Sequence, residues 1–141
     1  MKLRAYQEKD QSDVIALWTR CSLVIPQNNP AKDIQRKLQV DRELFLVGFT
    51  QQGIVATVMG GYDGHRGWIN YLAVDPSEQG NGYGRIAMSA IETLLKAKGC
   101  PKINLQVRSS NSDIIGFYAA LGYGNDNVVG LGKRLEQDFQ E

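Results

Sequence analysis

The sequence predicts an α/β protein whose mixed sheet carries helices on its faces. Strand-like apolar segments separated by turn residues fill about residues 45 to 74, which indicates an antiparallel meander. A helix and another strand follow, and a strand–helix–strand unit of this length normally forms a parallel crossover. The predicted order is β-α-α-β-β-β-α-β-α-β, in one domain spanning residues 1–141, a usual size for a single core.

The composition is that of an ordinary globular protein, with 43% hydrophobic and 22% charged residues. A net charge of +1 argues against a nucleic acid or a membrane surface as partner. The start, MKLRAYQEKDQSDV, lacks the apolar region of a signal peptide, and no apolar run approaches the ~18 residues of a membrane span. Cys21 and Cys100 form no CxxC pair, which is typical of reduced thiols and favours a cytoplasmic location. With His65 the only histidine, no metal is expected.

The N-terminal segment LRAY is predicted to form the first strand. The first helix follows in DQSDVIALWTRC, where Asp10 can act as the N-cap. Its apolar residues Val14, Leu17, Trp18 and Cys21 share one face, as expected for a helix packed on a core.

A second helix is predicted over about residues 30 to 40, after the loop SLVIPQNNP. Asn29 is placed to cap it, and Pro30 then occupies the first helical position, where proline is favoured. Ile34 and Leu38 lie on one side of this helix.

Three strands form the predicted meander. The segments LFLVGFT and IVATVMGG flank the turn QQG, and the turn YDGHRG leads to WINYLAV. Because WINYLAV is apolar on both faces, it is expected to be a central strand.

The C-terminal half is predicted to alternate helices and strands. The helix after Gly84 has apolar residues at helical spacing, namely Ile86, Ala87, Ala90, Ile91, Leu94 and Leu95. Gly99 and Pro101 end it, INLQV forms a strand, SDIIGFYAALGY forms the last helix, and VVGLGKRL forms the closing strand. The end EQDFQE is expected to be a solvated tail, in which Phe139 gives the only hint of packing.

Three alternating glycines, Gly80, Gly82 and Gly84, stand immediately before the third predicted helix. A helix N-terminus carries unpaired N–H groups and about half a positive charge, so phosphate binds there when the backbone is accessible. Glycine permits both the approach and a positive φ. The segment from Gln79 to Arg85 is therefore predicted to cradle a pyrophosphate, the alternative being a tight turn that uses glycine for shape alone.

Two other phosphate-binding motifs fit this segment less well. No Gly-Lys-Ser/Thr occurs, which excludes a P-loop. Gly82, Gly84 and Ala87 satisfy GxGxxA, but the next strand ends Gln106-Val107-Arg108 without the acidic residue that a dinucleotide site requires. The preceding antiparallel strands also disagree with a doubly wound sheet.

The segment VDPSEQGNGYGR resembles the coenzyme A signature of the GNAT N-acetyltransferases, Q/R-x-x-G-x-G/A after a strand ending V-x-P. Gln79, Gly82 and Gly84 match it, with Val74 and Pro76 at the expected offsets.

A second family block follows, since NSDIIGFYAALGY resembles N-x-x-A-x-x-F-Y-x-x-L-G-F. The matching residues are Asn111, Phe117, Tyr118, Leu121 and Gly122. Ile114 replaces the usual alanine, and Tyr123 stands at the final aromatic position. The element order agrees over the whole chain, and VMGGYDGHRG, GCPKI and GLGKRL resemble the YpeA-type bacterial acetyltransferases.

The resemblance implies transfer of an acetyl group from acetyl-CoA to a primary amine, by direct attack in a ternary complex. It implies that Tyr118 protonates the leaving thiolate as general acid. It implies a bulge near Leu72 to Val74 whose amides hold the acetyl carbonyl and the pantetheine. The cofactor-binding residues that it implies are Leu72, Ala73, Val74, Gln79, Gly80, Asn81, Gly82, Tyr83, Gly84, Arg85 and Asn111.

The general base is left unassigned. Gln106 stands where protein-acetylating relatives have a glutamate, and a carboxamide cannot act as a base. Water relayed past Asn70, Tyr71 or Gln106 is one solution, and Asp63 and His65 are weaker candidates.

The acceptor is also open, and small metabolite amines and peptide or protein amines both remain. The family usually selects it with the first two helices and their loop, where Trp18, Pro26, Asn28 and Asn29 lie. Trp18 alternatively belongs to the core, and no acidic cluster indicates a polyamine or aminoglycoside. A non-catalytic acyl-CoA-binding or sensor module is the alternative function, and a homodimer is compatible with the resemblance.

Overall fold

A five-stranded mixed sheet forms the frame of the protein in the computed structural model, which describes residues 1–138. Its strands lie in chain order and are β1 (Lys2–Ala5), β2 (Phe45–Thr50), β3 (Gly53–Tyr62), β4 (Gly67–Val74) and β5 (Ile103–Asn104). The pairs β1–β2, β2–β3 and β3–β4 are antiparallel, and β5 is parallel to β4. The predicted meander and crossover are therefore confirmed.

Four α-helices pack on this sheet: α1 (Gln11–Arg20), α2 (Pro30–Lys37), α3 (Tyr83–Ala97) and α4 (Ser112–Ala120). Short 3₁₀ turns span Glu8–Asp10, Arg42–Leu44 and Pro76–Glu78. Within residues 1–138, no helix is long and apolar enough to cross a membrane.

The start of α2 is capped as predicted, whereas the start of α1 is not. The Asn29 side chain accepts a hydrogen bond from the Lys32 backbone N–H, with Pro30 at the first helical position. Asp10 precedes α1, but its carboxylate instead accepts two hydrogen bonds from Arg4, at 2.7 and 2.9 Å, and one from the Gln7 N–H. The ion pair to β1 has replaced the predicted cap.

Two hydrophobic clusters lie on opposite faces of the sheet. Along β2, Phe45 and Val47 belong to the cluster beneath α1 and α2, whereas Leu46 belongs to the cluster beneath α3. This alternation follows from the two-residue period of a strand. Trp18 is fully buried in the first cluster, as its position on the apolar face of α1 favours.

The predicted closing strand VVGLGKRL is wrong, because residues 124 to 135 form neither helix nor strand. Its apolar residues Val128, Val129, Leu131 and Leu135 are 78% to 90% exposed. Two glycines interrupt the segment, and glycine weakens a strand. The neighbouring strand is also short: only Ile103–Asn104 of the predicted INLQV pairs with β4, which leaves little edge to extend.

The tail is wrongly predicted as solvated at Asp138, which is 2% exposed. Its carboxylate accepts hydrogen bonds from Arg36 Nη1 and Nη2 at 2.5 and 3.0 Å, and Arg134 Nη1 lies 3.5 Å away. Asp138 therefore lies against α2. Phe139, singled out in the sequence, lies outside the described residues.

Candidate functional site

A cleft of about 1330 Å³ opens where β4 separates from the chain that follows β5. The two strands pair only at Gly67 with Ile103 and at Trp68 with Asn104. Beyond these pairs, residues 69–74 and 105–108 line facing walls of the cleft. The loop after α1, the start of α3 and one side of α4 complete it.

Most residues singled out in the sequence meet in this cleft. Those that line it are Leu72, Ala73, Val74, Gln79, Gly80, Gly82, Tyr83, Gly84, Arg85, Asn111 and Tyr118, together with Asn28, Asn70, Tyr71 and Gln106. Those that do not line it are Trp18, Pro26, Asn29, Asp63, His65 and Asn81.

The side chains of Asn81 and Asp63, both outside the cleft, make structural contacts instead. The Asn81 side-chain amide donates to the Glu78 carbonyl at 3.0 Å, which closes the turn before α3. The Asp63 carboxylate accepts from the backbone N–H groups of His65 and Arg66 at 2.8 and 2.7 Å. Asp63 therefore shapes the β3–β4 turn.

The N-terminus of α3 opens onto the cleft without a side-chain cap. Gly82 is its N-cap at φ 77°, and Gly80 has φ 88°, a region that favours glycine. A Cβ at either position would meet no other atom within 4 Å, so the backbone here is open to an approaching group. The unpaired first-turn N–H groups and the helix dipole suit an anion.

Gly84 serves a purpose that the sequence did not indicate. A Cβ at this position would lie 3.1 Å from Phe117 Cζ and 3.7 Å from Val74 Cγ2. Glycine therefore lets α3 approach α4 and the end of β4 closely, which fixes the start of α3 relative to the other walls.

A β-bulge interrupts β4 beside the cleft. Thr57 pairs with Ala73 and Met59 with Asn70, so Tyr71 and Leu72 together face the single residue between Thr57 and Met59. Tyr71 has φ 50°, which is uncommon for a side chain of this size. The bulge lies at Tyr71 and Leu72, at the upstream end of the segment predicted to carry it.

Tyr71 is held in this conformation by contacts on both of its ends. Its ring stacks on Trp18 with 3.8 Å between centroids, and its carbonyl accepts from Thr57 Oγ1 at 2.8 Å. Its hydroxyl donates to Asp33 Oδ2 at 2.6 Å and accepts from Asn28 Nδ2 at 2.7 Å. Burial, together with the Asp33 carboxylate, raises the pKa of Tyr71 far above its ordinary value, so the phenol stays protonated.

Tyr118 lies on α4 at the opposite wall. Its ring makes edge contacts with Phe117 and Tyr123, at centroid distances of 5.1 and 5.6 Å. Burial raises the pKa of Tyr118 to about 12. The hydroxyl is therefore neutral, and able to donate a hydrogen bond, at any physiological pH.

Asn111 and Gln106 supply polar groups to the same region. Asn111 caps α4, since its Oδ1 accepts from the Ile114 N–H at 3.3 Å. Gln106 is an exposed carboxamide of the cleft wall. Cys21, a free thiol in the wall, donates to the Val74 carbonyl at 3.3 Å.

Charge is unevenly distributed along the walls. Three arginines line the cleft, and of these Arg20 is paired with Asp75 at 2.9 Å. Of the described residues that line it, Asp33 and Glu78 carry the acidic side chains. Within residues 1–138, no three His, Cys, Asp or Glu side chains gather in a way that could hold a metal ion.

Asp33 is a charged residue of the cleft that sequence reasoning did not single out. It lies in the first turn of α2, where an acidic residue is ordinarily explained by the helix dipole. Its partner Tyr71 is 38 residues away, and no local signal connects the two.

The chain matches the model of the acetyltransferase (GNAT) family over residues 10–123. It is 47% identical over 138 residues to an acetyltransferase of Yersinia enterocolitica, with 98% of each chain covered. An acetyltransferase of Yersinia pseudotuberculosis matches with the same identity and coverage.

Solved structures show the same fold. An aminoglycoside 6'-N-acetyltransferase from Acinetobacter haemolyticus superposes with a TM-score of 0.74 at 17% identity, over 96% of this chain and 100% of that one. The ribosomal-protein-S18-alanine N-acetyltransferase from Escherichia coli superposes with a TM-score of 0.73 at 20% identity, over 86% and 76%.

Proposed function

Because this chain belongs to the acetyltransferase (GNAT) family, we propose that it transfers an acetyl group from acetyl-CoA to a primary amine. One observation carries this proposal. The uncapped start of α3, with its two positive-φ glycines, opens onto the same cleft as Tyr118 and the β4 bulge. The proposed anion site at the start of α3, the neutral hydroxyl of Tyr118 and the bulge of β4 thus face the same cleft.

The residues present fit the cofactor. The backbone from Gln79 to Arg85 would hold the pyrophosphate, because no atom stands within 4 Å of a Cβ at Gly80 or Gly82. Arg85, which lines the cleft, would add a positive charge, and Asn111 would contribute a polar contact. Backbone amides of Leu72 to Val74, at the bulge, would bind the acetyl carbonyl and the pantetheine.

When bound, acetyl-CoA supplies a thioester, whose carbonyl carbon accepts the amine and whose thiol leaves. Tyr118 would donate a hydrogen bond to the sulfur as negative charge develops there. With a pKa of about 12, against roughly 8.5 for a thiol, Tyr118 does not give up its proton outright. It stabilises the thiolate by sharing the proton.

The amine loses its proton to water in this proposal. Gln106 offers no base, and no carboxylate takes its place at that position of the cleft wall. A general base contributes about 10²- to 10⁴-fold, whereas positioning alone can supply about 7–11 kcal/mol. Turnover therefore does not require a dedicated base. Acceptors whose amine is already partly deprotonated at the assay pH should react fastest.

The experiment titrates acetyl-CoA, CoA and NADH separately into the protein by calorimetry, and then measures free thiol with a panel of amines. We expect micromolar binding of both CoA compounds, no binding of NADH, and thiol release with at least one amine. NADH binding without CoA binding would overturn the cofactor assignment. CoA binding without thiol release over a broad panel would count against catalysis.

A further inference from the structure

We propose that Asp33 binds a second positive charge on the acceptor, a cation other than the amine that receives the acetyl group. This inference rests on the proposed function and names the acceptor class: a diamine, or an amine that also carries a guanidinium. The observation behind it is a fixed, incompletely neutralised carboxylate in the wall of the cleft.

Asp33 lies on α2 and lines the cleft beside the β4 bulge. Its side chain is 28% exposed, so it is half-buried yet open to a ligand. The second acidic residue of the described lining, Glu78, lies in the turn before α3, on the side assigned to the cofactor. Asp33 is therefore the carboxylate available on the acceptor side.

The carboxylate is held in one orientation by Tyr71, whose hydroxyl donates to its Oδ2 at 2.6 Å. Tyr71 is itself fixed by its stack on the buried Trp18 and by the bulge. A hydrogen bond to one oxygen stabilises the charged form of a carboxylate without neutralising it. A preorganised anion of this kind is what binding of a cation requires.

Arg36, the cation paired with Asp33, is shared with a second carboxylate. Arg36 Nη1 is 3.9 Å from Asp33 Oδ1, but the Arg36 guanidinium makes two hydrogen bonds to Asp138, at 2.5 and 3.0 Å. Arg134 Nη1 lies 3.5 Å from the same Asp138 carboxylate. Because Arg36 makes its closer contacts with Asp138, it neutralises Asp33 only in part, and Asp33 retains negative charge that a ligand can neutralise.

The reacting amine itself is a poor partner for Asp33. A carboxylate beside an ammonium raises the pKa of that ammonium, and only the neutral amine attacks a thioester. A pairing with the reacting group would therefore oppose the reaction. A pairing with a second, spectator cation would orient the acceptor without this cost.

The competing explanation is that the bond from Tyr71 to Asp33 only fastens α2 to β4. Asp33→Asn separates the two, because asparagine keeps an oxygen that accepts from Tyr71 while it removes the charge. A purely structural role would leave diamine recognition intact in this variant.

The test uses CoA-saturated protein, into which 1,3-diaminopropane through 1,6-diaminohexane and the monoamines of equal carbon number are titrated by calorimetry. We expect at least one diamine to bind about tenfold or more tightly than its matched monoamine, the range of a charge-assisted hydrogen bond. Asp33→Asn should remove this preference. The control Glu78→Gln, which removes the other carboxylate of the described lining, should keep it.

Three results would overturn the inference: wild-type protein without a diamine preference, the same preference in Asp33→Asn, or an equal loss in Glu78→Gln. A further measurement uses wild-type protein, so misfolding of a variant cannot affect its result. Raising the salt concentration should weaken diamine binding more than monoamine binding, and equal weakening would count against an ion pair. Failure here with intact CoA binding and thiol release leaves the proposed function standing, whereas absent CoA binding overturns both.

Discussion

Gly84 of α3 lies so close to Phe117 of α4 that a Cβ would stand 3.1 Å from Cζ of the ring. This contact joins the first turn of α3, where we propose that the pyrophosphate binds, to the helix that carries Tyr118. Substitutions in this motif should therefore separate into packing effects and ligand effects.

Gly84→Ala should destabilise the protein. Alanine favours a helix by about 1 kcal/mol over glycine, but overpacking a well-filled contact costs about 1–3 kcal/mol. We expect a lower free energy of unfolding in chemical denaturation and weaker acetyl-CoA binding, because Phe117 and the start of α3 must move apart by a few tenths of an ångström. Gly116→Ala is the matched control, since that helical glycine has no atom within 4 Å of its Cβ position, and it should stabilise. Stabilisation by both would contradict the close contact.

Gly82→Asp should weaken acetyl-CoA binding through charge. Gly82 has φ 77°, which asparagine and aspartate tolerate better than other side chains, and both can cap a helix. Gly82→Asn is therefore the neutral control, with similar shape and stability. We expect calorimetry to give an affinity for acetyl-CoA about tenfold or more lower for aspartate than for asparagine. Equal affinities would place the pyrophosphate elsewhere.

Tyr118→Phe should bind acetyl-CoA almost as wild type does, while kcat falls by about 10²-fold or more, because the leaving thiolate loses its proton donor. Unchanged turnover would assign protonation of the thiolate to water.

Burial raises the pKa of Tyr118 to about 12 from an ordinary 10. Below pH 10 the phenol is neutral in folded and unfolded chains alike. The contribution of the buried phenol to stability is lost as the pH rises from 10 through 12. The free energy of unfolding of Tyr118→Phe should therefore fall less steeply over this pH range than that of wild type.

Asp10→Asn should destabilise the protein at neutral pH by about 1–3 kcal/mol, since Asp10 is buried and receives two bonds from Arg4. The Arg4 guanidinium, together with the Gln7 N–H, holds the pKa of Asp10 below its ordinary value despite burial. The carboxylate therefore stabilises the fold above pH ~3.9 and loses this effect as the pH falls through its folded-state pKa. The deficit of the variant should shrink in acid. Asp13→Asn, at an exposed position of α1, should change stability little.

Local patterns were sufficient for much of the fold. The turns around QQG and YDGHRG set the meander, and proline after Asn29 set the start of α2, because each feature depends on residues adjacent in sequence. Gly80 and Gly82 likewise have positive φ values, a conformation that glycine was expected to permit there.

Features that depend on distant residues were not predictable in this way. The pairing of Asp33 with Tyr71 joins α2 to a bulge 38 residues on, and the packing need at Gly84 depends on Phe117, 33 positions further along the chain. The failure of VVGLGKRL to form a strand has the same origin. Its apolar residues suited a strand, but the edge that they needed ends at Asn104.

Tyr71 and Asp33, the hydrogen-bonded pair in the wall of the cleft, differ in how readily each can be substituted during evolution. Tyr71 is bound to the core through Trp18, so a replacement there disturbs the packing of α1 on the sheet. The Asp33 side chain is partly exposed, and it accepts a hydrogen bond from the Tyr71 hydroxyl at the edge of the core. If Asp33 binds the acceptor as we propose, exchange of the charge at position 33 would change the acceptor while the walls of the cleft stay in place.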